Sequence, residues 1–205
     1  RSQLVAPFGP GAINILKGGI SVITGGLDKW FQDQYGNTYG NDELLARNLI
    51  VKEPRLEALL DVSHFRLPPS DANRLNTEDA SIFTPTYRFP KWMVCPNCHL
   101  MKETNLHNPE LIPCEKEGCF KEKFQQIRFV VVCPSGHIQD FPWLEWAHKS
   151  KSFNDDCIHH LKYNSGGGGT LADIRIKCGK CKTPWRGLSN VTGVTTGKDG
   201  KVTTF

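Results

Sequence analysis

Residues 95–119 read "CPNCHLMKETNLHNPELIPCEKEGC". The spacing is C-x2-C, fifteen residues, then C-x4-C. Two such pairs on facing turns carry four thiolates to the corners of a tetrahedron, which zinc binds at about 2.3 Å per sulfur. Pro96 and Asn97 suit a tight knuckle whose backbone N–H groups face the sulfurs, and Trp92 and Met93 precede it on a predicted strand. Spacing this specific assigns Cys95, Cys98, Cys114 and Cys119 to one metal site, with four unrelated buried thiols as the weaker reading.

A second knuckle, "CGKC", spans Cys178–Cys181 and needs two further donors. Cys133 closes the apolar run "QIRFVVVC" (126–133), a predicted strand buried on both faces. It can therefore lie beside the knuckle in one sheet. The fourth donor is either His137, at C-x3-H spacing from Cys133, or Cys157, which would make the site uniformly thiolate and is the favoured choice. His159 and His160 are weaker candidates, and His64, His107 and His148 are expected to face solvent or cap polar networks. A redox C-x-x-C is the rival reading, but no thioredoxin-like βαβ pattern surrounds it.

Eight cysteines in a chain with no signal-like segment point to metal ligation in a cytoplasmic protein, where thiols stay reduced. No apolar run approaches the roughly 18–20 residues that span a bilayer. Both termini read like cuts from a longer protein: the chain starts at Arg1, and "DGKVTTF" resembles half of a hairpin turning at Asp199-Gly200. The fold class expected is α+β: a small, mixed α/β lead-in with helical segments over 1–85, then a β-rich, zinc-ribbon-like module over 86–205 with two structural zinc sites. Helical spacing marks "DELLARNLI" (42–50) and "EPRLEALLDV" (53–62), with Leu56, Leu59 and Leu60 on one face. "FPWLEWAHKS" (141–150) reads as a short helix with Pro142 in its first turn, and "NSGGGGT" (164–170) as a flexible loop before the strand "LADIRIKC".

Charge is uneven. Residues 1–90 hold 9 Lys+Arg and 10 Asp+Glu, whereas 91–205 hold 16 and 11. Lys177, Lys180, Lys182 and Arg186 surround Trp185, the mixture of cations and aromatic that a phosphate backbone with stacked bases requires. A solvated lysine face is the plainer alternative. Catalytic signatures are missing: there is no G-x-x-x-x-G-K-[ST] phosphate loop and no H-x-E followed by P-C-x-x-C as in zinc deaminases.

Several segments in order, "RSQLVAPFGPGAI", "SVITGGLDKW", "EPRLEALLDVSHFRLPP", "RFPKWMVCPNC", "RFVVVCPSGHIQDFPWLEWAH" and "LADIRIKCGKC", resemble the amino-terminal region of DrmB-type proteins, components of DISARM anti-phage defence systems. Such proteins are usually much longer. The resemblance implies a non-catalytic zinc-binding partner of a helicase-like DrmA-type protein, the pair engaging invading DNA, with Cys95, Cys98, Cys114, Cys119, Cys133, Cys178 and Cys181 as ligands. Two other expectations compete with it: a stand-alone zinc-dependent enzyme or nuclease, in which Asp140 or Glu145 would act beside an open metal position, and a zinc-ribbon protein of transcription or RNA processing.

Overall fold

The computed structural model describes residues 7–30, 49–68, 84–107, 111–119, 122–149, 152–189, 191, 195–196 and 202–203. The chain divides into two compact units, Arg1–Phe89 and Pro90–Phe205. Among the described residues it is built from many short strands and a few short helices.

In the first unit, β1 (Ile13–Ile15) pairs antiparallel with β2 (Ser21–Thr24). β3 (Ile50–Val51) and β4 (Phe65–Arg66) form a separate pair, with helix α1 (Pro54–Leu60) between them in sequence. β5 (Thr86–Arg88) then returns to the free side of β2. Among the described residues the lead-in combines these short strands with helix α1. α1 forms where the leucine spacing predicts it, started by Pro54 and stopped at Asp61 in the left-handed conformation. Its leucine face is nonetheless exposed, Leu59 at 76%. Of the other predicted helix, residues 42–48 lie outside the described residues, and Ile50 is strand. Trp30, Leu49 and Leu67 make a small core, with the Trp30 indole N–H donating to the Gly25 carbonyl at 2.8 Å.

The second unit holds the main core. β6 (Trp92–Val94) lies between β7 (Met101–Glu103) and β8 (Gln125–Gln126), all antiparallel. β9 (Val130–Val132) and β10 (Ile138–Asp140) form a ribbon of their own. β11 (Leu161–Asn164), β12 (Arg175–Cys178) and β13 (Arg186–Gly187) make a third sheet. β14 (Thr195–Thr196) pairs with β15 (Val202–Thr203), and the Asp199-Gly200 turn predicted between them lies outside the described residues. The run 126–133 is thus not one doubly buried strand. It breaks between Gln126 and Val130, β9 pairs with β10 in a two-stranded ribbon among the described residues, and Val132 is 59% exposed. Nor is 164–170 a loose loop: Thr170 donates its N–H and hydroxyl to the Asp173 carboxylate, and Asn164 Oδ1 accepts the Gly166 N–H.

Helix α2 (Trp143–His148) is six residues long, too short to persist without tertiary support. Packing supplies it. Trp143 touches Phe141 (ring centroids 4.5 Å apart) and meets Phe129 and Tyr163 edge-on at 6.1 and 5.8 Å. Trp146 meets Phe141 at 5.6 Å. Ile176 of the third sheet, with Ile174 just before β12 and Leu188 just after β13, completes the same cluster. Pro142 sits at the N-cap, one position earlier than predicted, and Lys149 ends the helix in the left-handed conformation.

Candidate metal centres

The first group forms where the sequence places it. Cys95 and Cys98 lie in the turn after β6, closed by the Cys95 N–H on the Leu100 carbonyl and the His99 N–H on the Cys95 carbonyl, both 2.9 Å. Cys114 and Cys119 lie in a second loop held by the Cys114 N–H on Glu122 (2.7 Å) and the Cys119 N–H on Lys116 (3.1 Å). Asn97 Nδ2 reaches the Gly118 carbonyl at 3.3 Å and ties the two loops together. Met93, Phe124 and Ile112 cover the group.

The sulfurs are spaced for an ion and not for disulfides. Cys95 and Cys119 are 3.9 Å apart, and Cys98 and Cys114 are 3.8 Å apart. A disulfide requires about 2.05 Å. A tetrahedron with about 2.3 Å metal–sulfur bonds has edges of about 3.8 Å. Without an ion, burial and the three neighbouring sulfurs push the Cys119 thiol up to about 12, and burial raises Cys114. At Cys95 burial opposes ionisation, but the N–H groups of Cys98 and Asn97 outweigh it and hold the thiol below its ordinary value. A site where some thiols are held up and another held down is one that a cation would unify, since ligation requires every sulfur as thiolate.

The second group departs from expectation. Cys157, Cys178 and Cys181 converge with His148, every ligand atom within 4.8 Å of the others. Cys157 comes from the 3-10 turn Asp155–His160, whose start is capped by Asn154 Oδ1 accepting the Asp156 N–H at 2.9 Å. Cys178 ends β12, and its N–H donates to Thr183 Oγ1 at 2.7 Å. The Cys157 and Cys181 sulfurs are 3.5 Å apart. Cys157 hydrogen bonding, burial and Cys178 push the Cys181 thiol up to about 11.

His148, expected to face solvent or cap a polar network, is 3% exposed. Nδ1 lies 2.6 Å from the Leu144 carbonyl oxygen, one helical turn back, and the ring stacks on Phe153 at 5.0 Å. That carbonyl can only accept, so Nδ1 carries a proton, which leaves Nε2 as the nitrogen that can serve as a ligand. Nε2 is buried and has no hydrogen-bond partner among the described residues. A metal-binding imidazole is oriented in this way, with its second nitrogen bonded to a backbone carbonyl. Three thiolates and one imidazole suit a closed zinc site, as do four thiolates.

Cys133 and His137 do not belong to this group. β9 and β10 form a ribbon separate from the sheet containing β12, so the turn at the ribbon's tip carries Cys133 to a different place. There Cys133 Sγ lies 3.2 Å from His137 Nδ1. Neither Asp140 nor Glu145 is among the convergent donors. Asp140 instead accepts the Lys91 backbone N–H at 2.7 Å.

The basic set is divided as well. Arg186 stacks its guanidinium 3.9 Å from the Trp146 ring centroid and donates to the Trp146 carbonyl at 2.7 Å, closing the end of α2. Lys180 pairs with Asp156. Lys177 Nζ lies 4.6 Å over the ring of Trp185, which is 40% exposed. Lys182 follows the second knuckle in the left-handed conformation. Lys162, absent from the predicted set, is the cross-strand partner of Lys177, so the two share the outer face of the sheet. The signal for it was the alternation of "LKYN" against "RIKC", legible only once the register is known.

Comparison with known proteins gives two matches. A family described as a domain of unknown function, DUF8724, matches residues 1–202. The chain is also 24% identical over 156 residues to the DISARM protein DrmB of Bacillus paralicheniformis, a match covering 73% of this chain and 24% of that protein. The matched region thus spans about a quarter of the relative's length. Among the described residues no helix is long and apolar enough to cross a membrane.

Proposed function

We propose, from the premise that the chain belongs to the DUF8724 family and is related to DISARM DrmB, that it is a non-catalytic zinc-binding component of a cytoplasmic anti-phage defence complex. The observation that carries this is the completeness of the two donor groups. Each offers four donor atoms within 4.8 Å of one another, the number that a closed structural zinc site uses. Zinc in such sites supplies folding energy where the sheets are only two or three strands wide. Its role here is to hold loops in place as a binding surface.

The partner is a helicase-like DrmA-type ATPase, and DNA is engaged through the outer face of the β11–β12–β13 sheet. Lys162, Lys177 and Lys182 contact phosphates there, with Trp185 available for a base or sugar. Arg186 and Lys180 serve the fold, given their internal partners. The test is copurification with a DrmA-type protein, followed by DNA binding across a salt series. Changing Lys162, Lys177 and Lys182 to Ala should shallow the log–log salt slope by roughly 0.9 for each phosphate that is no longer neutralised. An unchanged slope would make this face a solvated surface, and failure to copurify would remove the helicase partnership.

A further inference from the structure

The two donor groups differ in how their cysteines meet solvent. Cys95, Cys114 and Cys119 are buried and Cys98 is half-buried, whereas Cys181 in the second group is exposed. Cys157 lies fully buried behind it. Their sulfurs are 3.5 Å apart, closer than the 3.8 and 3.9 Å pairs of the first group. One reachable sulfur thus has a sheltered sulfur directly at its back.

Bonds that use no ligand atom hold the two segments face to face. The Gly179 N–H donates to the His160 carbonyl at 2.8 Å, and Lys180 pairs with Asp156. Asp156 directly precedes Cys157, and Lys180 directly precedes Cys181. The β11–β12 pairing continues the contact, with Leu161 opposite Cys178. These ties keep Cys157 and Cys181 side by side independently of an ion. Ligation in turn keeps each sulfur as thiolate, the form that oxidants attack. Exposure selects which thiolate reacts, and a second one within reach converts the product into a disulfide before oxidation runs further.

We propose that Cys181 and Cys157 are a peroxide-sensitive pair whose disulfide reversibly opens the second donor group, an inference that rests on that group holding zinc. The Cys181 thiolate attacks one oxygen of hydrogen peroxide. An S–O bond forms, the O–O bond breaks, and the departing hydroxide takes up a proton and leaves as water. The Cys157 thiolate then attacks the sulfur of the Cys181 sulfenic acid. An S–S bond of about 2.05 Å forms, the S–O bond breaks, and a second hydroxide leaves as water after protonation. Two thiolates have given up two electrons, the peroxide has gained them, and two protons have been consumed. Cys178 and His148 alone remain as donors, half the set of a closed site and too few to retain zinc. The end of α2 thereby loses its tie to β12, and a thiol reductant restores it.

The test uses the full chain loaded with zinc, its metal counted first, and then treated with a small excess of hydrogen peroxide. A chromogenic chelator reads zinc release, and peptide mass spectrometry without reduction reads linkage. The second group alone should empty, in step with a Cys157–Cys181 linked peptide, and dithiothreitol with added zinc should refill it. Asp156→Asn removes the ion pair but no donor. It should leave the initial zinc content unchanged and slow the linked peptide roughly threefold, the scale of an exposed ion pair. Release from both groups at one rate, oxidation of Cys181 without linkage to Cys157, or an unaltered linkage rate in Asp156→Asn would overturn the proposal. A second group already empty before peroxide is added would remove its zinc reading and the proposal with it, and the initial metal count tells that failure from the others.

Discussion

His148 Nδ1 meets the carbonyl oxygen of Leu144 at 2.6 Å, and this bond turns the opposite nitrogen toward three cysteine sulfurs. The last turn of α2 therefore does two things. It packs Trp146 and Ala147 into the core and delivers the fourth donor of the second metal group.

Loading with zinc should release protons. Cys119 and Cys181, pushed up to about 12 and about 11, are protonated at neutral pH in the metal-free chain. Each must lose its proton to bind, so affinity rises with pH by about tenfold per unit for each proton displaced. Calorimetry in buffers of different ionisation enthalpy should give at least one proton released per site. Zero release would mean that the thiolates exist before the ion arrives.

The first donor group was legible in the sequence because knuckle spacing is a local property: Cys95 and Cys98 share one turn, and Cys114 and Cys119 share one loop. The second was legible only in part. Cys157, Cys178 and Cys181 converge as proposed, but the fourth donor depends on which element packs against β12, helix α2 and not β9, and that is a tertiary fact. Cys133 was placed there on the assumption that two strands ending in cysteine share a sheet, and β9 pairs with β10 instead. His148 carried one faint local signal, its i, i+4 relation to Leu144 on a predicted helix. The leucine spacing of α1 marked the helix correctly while its exposure could not be read from period alone.

Trp143→Ala should destabilise the second unit by about 3–5 kcal/mol, the usual cost of emptying a large aromatic site. The side chain is 1% exposed and touches three other rings. Thermal unfolding of the metal-loaded protein measures the change. An unchanged transition would place the tryptophan outside the cooperative core.

Arg186→Ala should also destabilise, by about 2 kcal/mol, because it removes both a charge-assisted hydrogen bond to the end of α2 and a cation–π contact. Arg186→Lys should recover only part, since an ammonium cannot stack flat on Trp146 while donating to its carbonyl. Urea unfolding of the three proteins checks the order. If the alanine variant unfolds like the parent, the guanidinium contributes nothing and Arg186 returns to the set available for DNA.

The central claim is that two closed metal sites organise the second unit and that His148, not Cys133 or His137, completes the second. Metal counting on purified variants tests it most directly. The parent and Cys133→Ala should each carry two zinc ions per chain, whereas His148→Ala should keep the Cys95–Cys98–Cys114–Cys119 ion and lose or weaken the other. Two tightly held ions in His148→Ala together with a missing ion in Cys133→Ala would contradict the account.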